Sequence, residues 1–181
     1  MAKTSISGLN KLDYTLRNRY RRTMEFMMKH VTPQENVLDL GTPNPLSMVM
    51  AENGYNVINT GGEDFDIAYR KISEYKGDVT TSFEVFEHLL APFNILREIR
   101  TKKLIASVPL RLWFAKAYWN KNSEWDRHYH EFEKWQFDWL LEKSGWKIID
   151  RYSWPAPIRA LGVKPFLRLF TERYYIVYCE R

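Results

Sequence analysis

At 181 residues the chain is long enough for one domain with a full hydrophobic core and too short for two ordinary ones. Its 45% hydrophobic and 27% charged content excludes the disordered and fibrous classes, and no run approaches the ~18 apolar residues of a membrane span. The net charge of +5 gathers in two stretches: Lys11, Arg17, Arg19, Arg21 and Arg22 against Asp13, and Arg151, Arg159, Lys164, Arg168 and Arg173 against Glu172. Such clusters are either solvated surface or the seat of an anionic partner.

The first ten residues lack the apolar stretch of a secretory signal, so a cytoplasmic location is expected. Leu16, Tyr20, Met24, Met27 and Met28 share one face of a helix over 13–29, with arginines on the other. After Thr32-Pro33-Gln34 comes an apolar strand, 36–40, followed by a short helix, 46–52, and a second strand, 55–60. This is a β-α-β unit with a right-handed crossover. An acidic turn with Gly61, Gly62, Glu63, Asp64 and Asp66 leads to one or two helical turns over 67–74. The next strand is 78–85, then a helix from Pro92 to about residue 100, and a strand over 103–108.

Residues 110–126 combine aromatics with bases and read as a loop; Trp113, Tyr118, Trp119 and Trp125 either shape a substrate pocket, stack on bases or pack as core or lid. A helix from 130 or 131 to 143 places Phe132, Trp135, Trp139 and Leu140 on one stripe. A strand at 146–152, a proline-containing linker and a last strand at 174–179 complete the chain. The single cysteine, Cys179, lies in that last apolar strand and reads as a small buried hydrophobe. Alternating strands and helices imply an α/β fold: a Rossmann-like, mainly parallel sheet with helices on both faces and an antiparallel C-terminal strand.

Five phrases occur in order: V-L-D-L-G at 37–41, A-E-N-G-Y-N-V at 51–57, D-V-T-T-S-F-E-V-F-E-H-L at 78–89, L-I-A-S-V-P at 104–109, and H-E-F-E-K-W-Q-F-D-W-L-L-E-K-S-G-W at 130–146. Together they resemble the class I S-adenosylmethionine-dependent methyltransferases, especially the type 11 and type 12 proteins, over about residues 36–152. The resemblance implies one methyltransferase-like domain over 1–181, with an N-terminal helical segment (1–35), a core (36–152), and a linker with terminal strand (153–181). It implies S-adenosylmethionine as cofactor, with candidate contacts at Asp39, Gly41 and Thr42 after the first strand, Glu63 and Asp64 after the second, and Glu84, Glu87 and His88 after the central one. A carboxylate can accept both ribose hydroxyls, and glycine lets backbone approach a ligand.

Two departures stand out. The loop that reads G-x-G-x-G in the family carries Pro43 and Pro45 at its second and third glycine positions, and the ribose acid aligns with Thr60 or Gly61. About 17 residues separate the second strand from Asp78, too few for the family's usual third strand, which is expected to be shortened. The expected activity is methyl transfer to a small-molecule or lipid-linked acceptor, with residues 110–130 and 153–173 forming the acceptor side and the basic clusters suiting an anionic one. His128 and His130 are the candidate bases; with no further histidine nearby they are not expected to hold a metal. The alternatives are a methyltransferase fold kept for binding or scaffolding after catalysis is lost, and a basic nucleic-acid-binding protein, which no basic helix or known motif supports.

Overall fold

Four parallel strands, β1 (Asn36–Asp39), β2 (Asn56–Asn59), β3 (Val79–Phe83) and β4 (Lys103–Pro109), are followed in the chain by β5 (Lys147–Pro155) and β6 (Glu172–Glu180). In the computed structural model, which describes residues 6–157 and 162–181, they form one sheet of order β2-β1-β3-β4-β6-β5. Only β6 runs against its neighbours, β4 on one side and β5 on the other. The helices are α1 (Tyr14–His30), α2 (Pro45–Glu52), α3 (Pro92–Glu98), α4 (Lys134–Lys143) and α5 (Val163–Leu169). Arg159, one of the second basic cluster, and part of the expected linker lie outside the described residues.

Strand periodicity divides the core into two layers, because successive side chains leave a strand on opposite faces. From β1, Leu38 joins Ile72, Phe86, Ile95, Leu104, Phe137, Leu141 and Trp146. Val37 turns the other way, to Val79, Ile105 and Ile176 of the sheet and to Met24, Phe26, Met27, Val49 and Met50 of α1 and α2. Trp146 is buried and donates its indole N–H to the Leu96 carbonyl at 3.1 Å, so its polar atom has a partner where water does not reach. The Cys179 thiol is fully buried, and desolvation pushes its pKa up to about 12.

The third strand is missing, and β2 is the sheet edge. Where it would lie, Tyr69–Glu74 forms a 3₁₀ helix whose Ile72 is buried in the core layer of α3 and α4. Other boundaries differ from the periodicity. The expected helix from residue 130 begins only at Lys134, where Glu133 and Gln136 form a reciprocal capping box. Its buried stripe is Phe137 and Leu141, and Trp135 and Trp139 face solvent at 60% and 57% exposure. The stripe of four had mixed extended and helical residues, since Phe132 belongs to the segment before the cap. The linker also holds α5, which buries none of its residues, and β5 runs on to Pro155, a proline tolerated on an edge strand.

Candidate functional site

The parallel strands deliver their C-terminal ends to one edge, where backbone register sets a row of polar side chains. Asp39 pairs with Asn59 on β2 and with Thr81 on β3, and the same partners bond its carboxylate. Thr81 Oγ1 donates to Oδ1 at 2.7 Å, and Asn59 Nδ2 and Asn44 Nδ2 donate to Oδ2 at 3.1 and 3.4 Å. The carboxylate is 2% exposed as part of its residue. Burial raises its pKa to about 6, with the three hydrogen bonds opposing the shift.

Gly41 follows with φ of 106°, a conformation that favours glycine, and its N–H donates to Thr60 Oγ1 at 2.8 Å. No atom lies within 4 Å of where a Cβ on Gly41 would sit. Pro43 and Pro45 are exposed, and neither lines this space. Its walls are Arg19, Tyr20, Asp39, Thr42, Asn44, Phe83 and Glu84, around a cavity of about 330 Å³. The start of α2, where a glycine-rich loop would turn N–H groups toward a ligand, is capped from within. Asn44 Oδ1 accepts from Leu46 N and Ser47 N, and Ser47 Oγ accepts from Asn44 N.

The acidic turn gives its three carboxylates three jobs. Asp66 accepts from the Leu90 and Ala91 amides, both at 2.9 Å, and so ties the turn to the loop after β3. Asp64 Oδ1 accepts from the Asp66 amide at 3.0 Å, a local turn bond. Glu63 Oε1 accepts from the Tyr75 hydroxyl at 2.7 Å, which holds its pKa below the usual range, while Oε2 is buried without a partner. Glu63, Asp64 and Asp66 line a cavity of about 670 Å³ with Gly41, Thr42, His88, Trp125 and Tyr129. Gly62 and Thr42 approach so closely that a Cβ on Gly62 would come within 2.9 Å of Thr42 Cγ2.

Beyond β3, Glu84 takes φ of 58°, the one positive φ outside glycine among the described residues. Its carboxylate meets Arg19 of α1 at 3.4 Å and Ser107 Oγ of β4 at 3.1 Å. Glu87 is 0% exposed, and among the described residues neither of its carboxylate oxygens has a hydrogen-bond partner in another residue. Burial first, then the neighbouring Glu84, holds its pKa well above the usual carboxylate range. His88 Nε2 lies 3.7 Å from Glu87 Oε1, and its Nδ1 bonds the Arg127 carbonyl at 3.0 Å. The His128 ring meets that of His88 edge-on at 4.9 Å, and its Nδ1 bonds Glu131 at 3.3 Å. His88, His128, Asp126 and Tyr118 line a cavity of about 340 Å³ with Arg19, Glu84 and Glu87.

His128 and His130 therefore part company: Nε2 of His130 lies 3.3 Å from the Leu90 carbonyl and its ring stacks on Phe132. Sequence reading missed Arg19, Asn44, Asn59 and Tyr75. Arg19 had a signal, standing one turn before Thr23 at the margin of the buried face of α1; the others depend on tertiary register. A further cavity of about 500 Å³, lined by Leu112, Lys116, Trp119, Pro165, Arg168 and Arg173, shares Tyr118, Arg173 and Tyr174 with the histidine cavity. The four spaces thus share walls along the C-terminal edge of the sheet.

No family model and no curated protein matches the chain. Solved structures do. A methyltransferase in complex with the Haloferax volcanii Trm112 methyltransferase activator is 14% identical, with 91% of each chain covered and a TM-score of 0.61. An S-adenosylmethionine-dependent methyltransferase from Archaeoglobus fulgidus is 16% identical over 92% of this chain and 93% of that one, at 0.58. Magnesium protoporphyrin IX methyltransferase from Synechocystis PCC 6803, solved with bound S-adenosylhomocysteine, is 13% identical over 94% and 88%, at 0.57. The fold is that of the class I S-adenosylmethionine-dependent methyltransferases.

Proposed function

We propose that the protein binds S-adenosylmethionine across Gly41 and the acidic turn and transfers its methyl group to an acceptor in the neighbouring cavities. One observation carries the reading: the space over Gly41 is open, and it shares Gly41, Thr42 and Glu84 with the larger cavity over Glu63. The residues present suit such a ligand. Glu63, held by Tyr75 and lining the larger cavity, would accept from the ribose hydroxyls in place of the acid absent at Thr60 and Gly61. Arg19 would take the carboxylate of the methionine half, and Glu84, beside it, the amino group. Bound there, the cofactor supplies an electrophilic methyl carbon; the protein's part is to align a nucleophile with it and exclude water.

The acceptor side is basic and aromatic, in keeping with a small or lipid-linked anionic acceptor. Lys116, Arg168 and Arg173 line its cavity, while Trp113, Phe166 and Phe170 stand exposed on the two segments that contribute to it. Aromatic and basic side chains presented together suit the surface of an anionic membrane. His88 and His128 line the cavity that an acceptor would enter. Titration calorimetry with S-adenosylhomocysteine tests the reading: micromolar binding is expected, and no heat at millimolar ligand would sink it. That result would favour a binding or scaffolding role, to which the self-capped start of α2 gives independent support.

A further inference from the structure

Glu87, His88 and His128 offer one carboxylate oxygen and two imidazole nitrogens whose ligating atoms all lie within 4.8 Å of one another. Two of them are neighbours in sequence, brought off the end of β3 by the 3₁₀ turn Phe86–His88. The third arrives from a distant loop, which is docked on that turn by the backbone bonds of Tyr129 N and His130 N to the Glu87 carbonyl, at 2.8 and 3.2 Å. The convergence is therefore fixed by main chain on both sides.

We infer that these three residues form a site for a divalent first-row transition ion such as Zn²⁺, facing the cavity they share with Tyr118 and Asp126. Three features of the donors point there. Each histidine gives its Nδ1 hydrogen to an oxygen acceptor, the Arg127 carbonyl for His88 and the Glu131 carboxylate for His128. That leaves each Nε2 with its lone pair, the arrangement by which an outer acceptor fixes the tautomer of a metal-bound imidazole. The Glu87 carboxylate is fully buried and has no hydrogen-bond partner in another residue, an expensive state for a polar group unless a cation sits beside it. Two nitrogens with one oxygen suit zinc and its neighbours better than magnesium or calcium, which take oxygen.

Donors on a zinc ion at about 2.0–2.1 Å stand roughly 3–4 Å apart, so small side-chain rotations close the set. Three protein ligands leave a coordination position for an acceptor oxygen. This use of the ion rests on the methyl-transfer reading; its binding does not. In sequence, His128 and His130 stand two apart with Asp126 and Glu131 nearby and no further histidine in the segment. The third ligand sits 40 positions earlier in the chain, at His88, which sequence spacing does not reveal.

The test is a calorimetric titration of the metal-stripped full chain with Zn²⁺ alone. One ion per chain is expected. His88→Gln and His128→Gln should each weaken binding by at least ~100-fold, and Glu131→Gln, which removes only the outer acceptor charge, by ~10-fold. His30→Gln, at the opposite end of α1 beside Asp150, should leave binding unchanged. No bound ion, or undiminished binding in His128→Gln, overturns the site. If the variants do not fold, X-ray absorption of the zinc-loaded wild-type chain decides, with two imidazoles per ion supporting the site and none or one overturning it. Zinc binding without response to S-adenosylhomocysteine would leave the site standing while the methyl-transfer reading falls.

Discussion

Around Gly41 the polar groups of the groove are mostly satisfied by the chain itself, and around Glu87 they are not. Asp39 has three hydrogen-bond donors, Asn44 caps its own helix, and Asp66 holds two amides. Beyond Glu84 the balance changes: Glu87 is buried with no hydrogen-bond partner in another residue, and Trp113, Trp119, Trp125, Phe166 and Phe170 are more than half exposed. The first region is a frame that the chain largely completes itself, with Glu63 Oε2 the exception. The second has unsatisfied chemistry and uncovered apolar surface, the condition of a region completed by what binds to it.

The largest way to stress this contrast is pH. Burial raises the Asp39 pKa from the ordinary 3.8 to about 6 in the folded protein, so the native state holds the proton more tightly than the unfolded chain. Its contribution to stability is fully present below about pH 4 and is lost as pH rises through 6, some 3 kcal/mol in all. Urea melts of wild type and Asp39→Asn at several pH values should show this slope in the difference; parallel curves would mean that the frame does not depend on this carboxyl. Next in size is Glu63→Ala, expected to weaken S-adenosylhomocysteine by ~2–3 kcal/mol, since hydrogen bonds to a charged group are lost. Asp64→Ala should change it by less than ~0.5 kcal/mol, and equal losses at both positions would deny Glu63 its special place.

Arg19→Met should follow, weakening the same ligand by ~1.5–3 kcal/mol with affinity for plain adenosine unchanged. On the open side, replacing Lys164 and Arg168 with glutamine should reduce flotation with phosphatidylserine vesicles by about 1 kcal/mol per charge. Neutral phosphatidylcholine vesicles serve as control, and indifference to lipid charge would count against an anionic membrane surface. Trp113→Ala is the smallest, within ~0.5 kcal/mol of wild-type stability, because its side chain is 70% exposed.

The frame was legible in sequence wherever a short-range rule made it. Val37 to Leu40 show the apolar run of a doubly covered strand, and the 17-residue gap before Asp78 pointed to a shortened third strand where the sheet has none. The candidate contacts Asp39, Gly41, Thr42, Glu63, Asp64, Glu84 and His88 all reach the cavities at this edge. What could not be read was the division of labour among them. Whether Glu63 or Asp66 is the structural acid depends on Tyr75 and on two amides at 90 and 91, contacts set by tertiary folding. The side on which Trp135 and Trp139 emerge turned on a capping box that delayed α4 by one turn.

Glu84 carries one more lesson. A side chain at φ of 58° costs about 1–2 kcal/mol that glycine would not. Glycine at this bend would relieve that strain but would leave the partly buried Arg19 without its carboxylate partner and Ser107 without its acceptor. The strain at this position therefore comes with placing a carboxylate beside Arg19, and a change to glycine would remove both together.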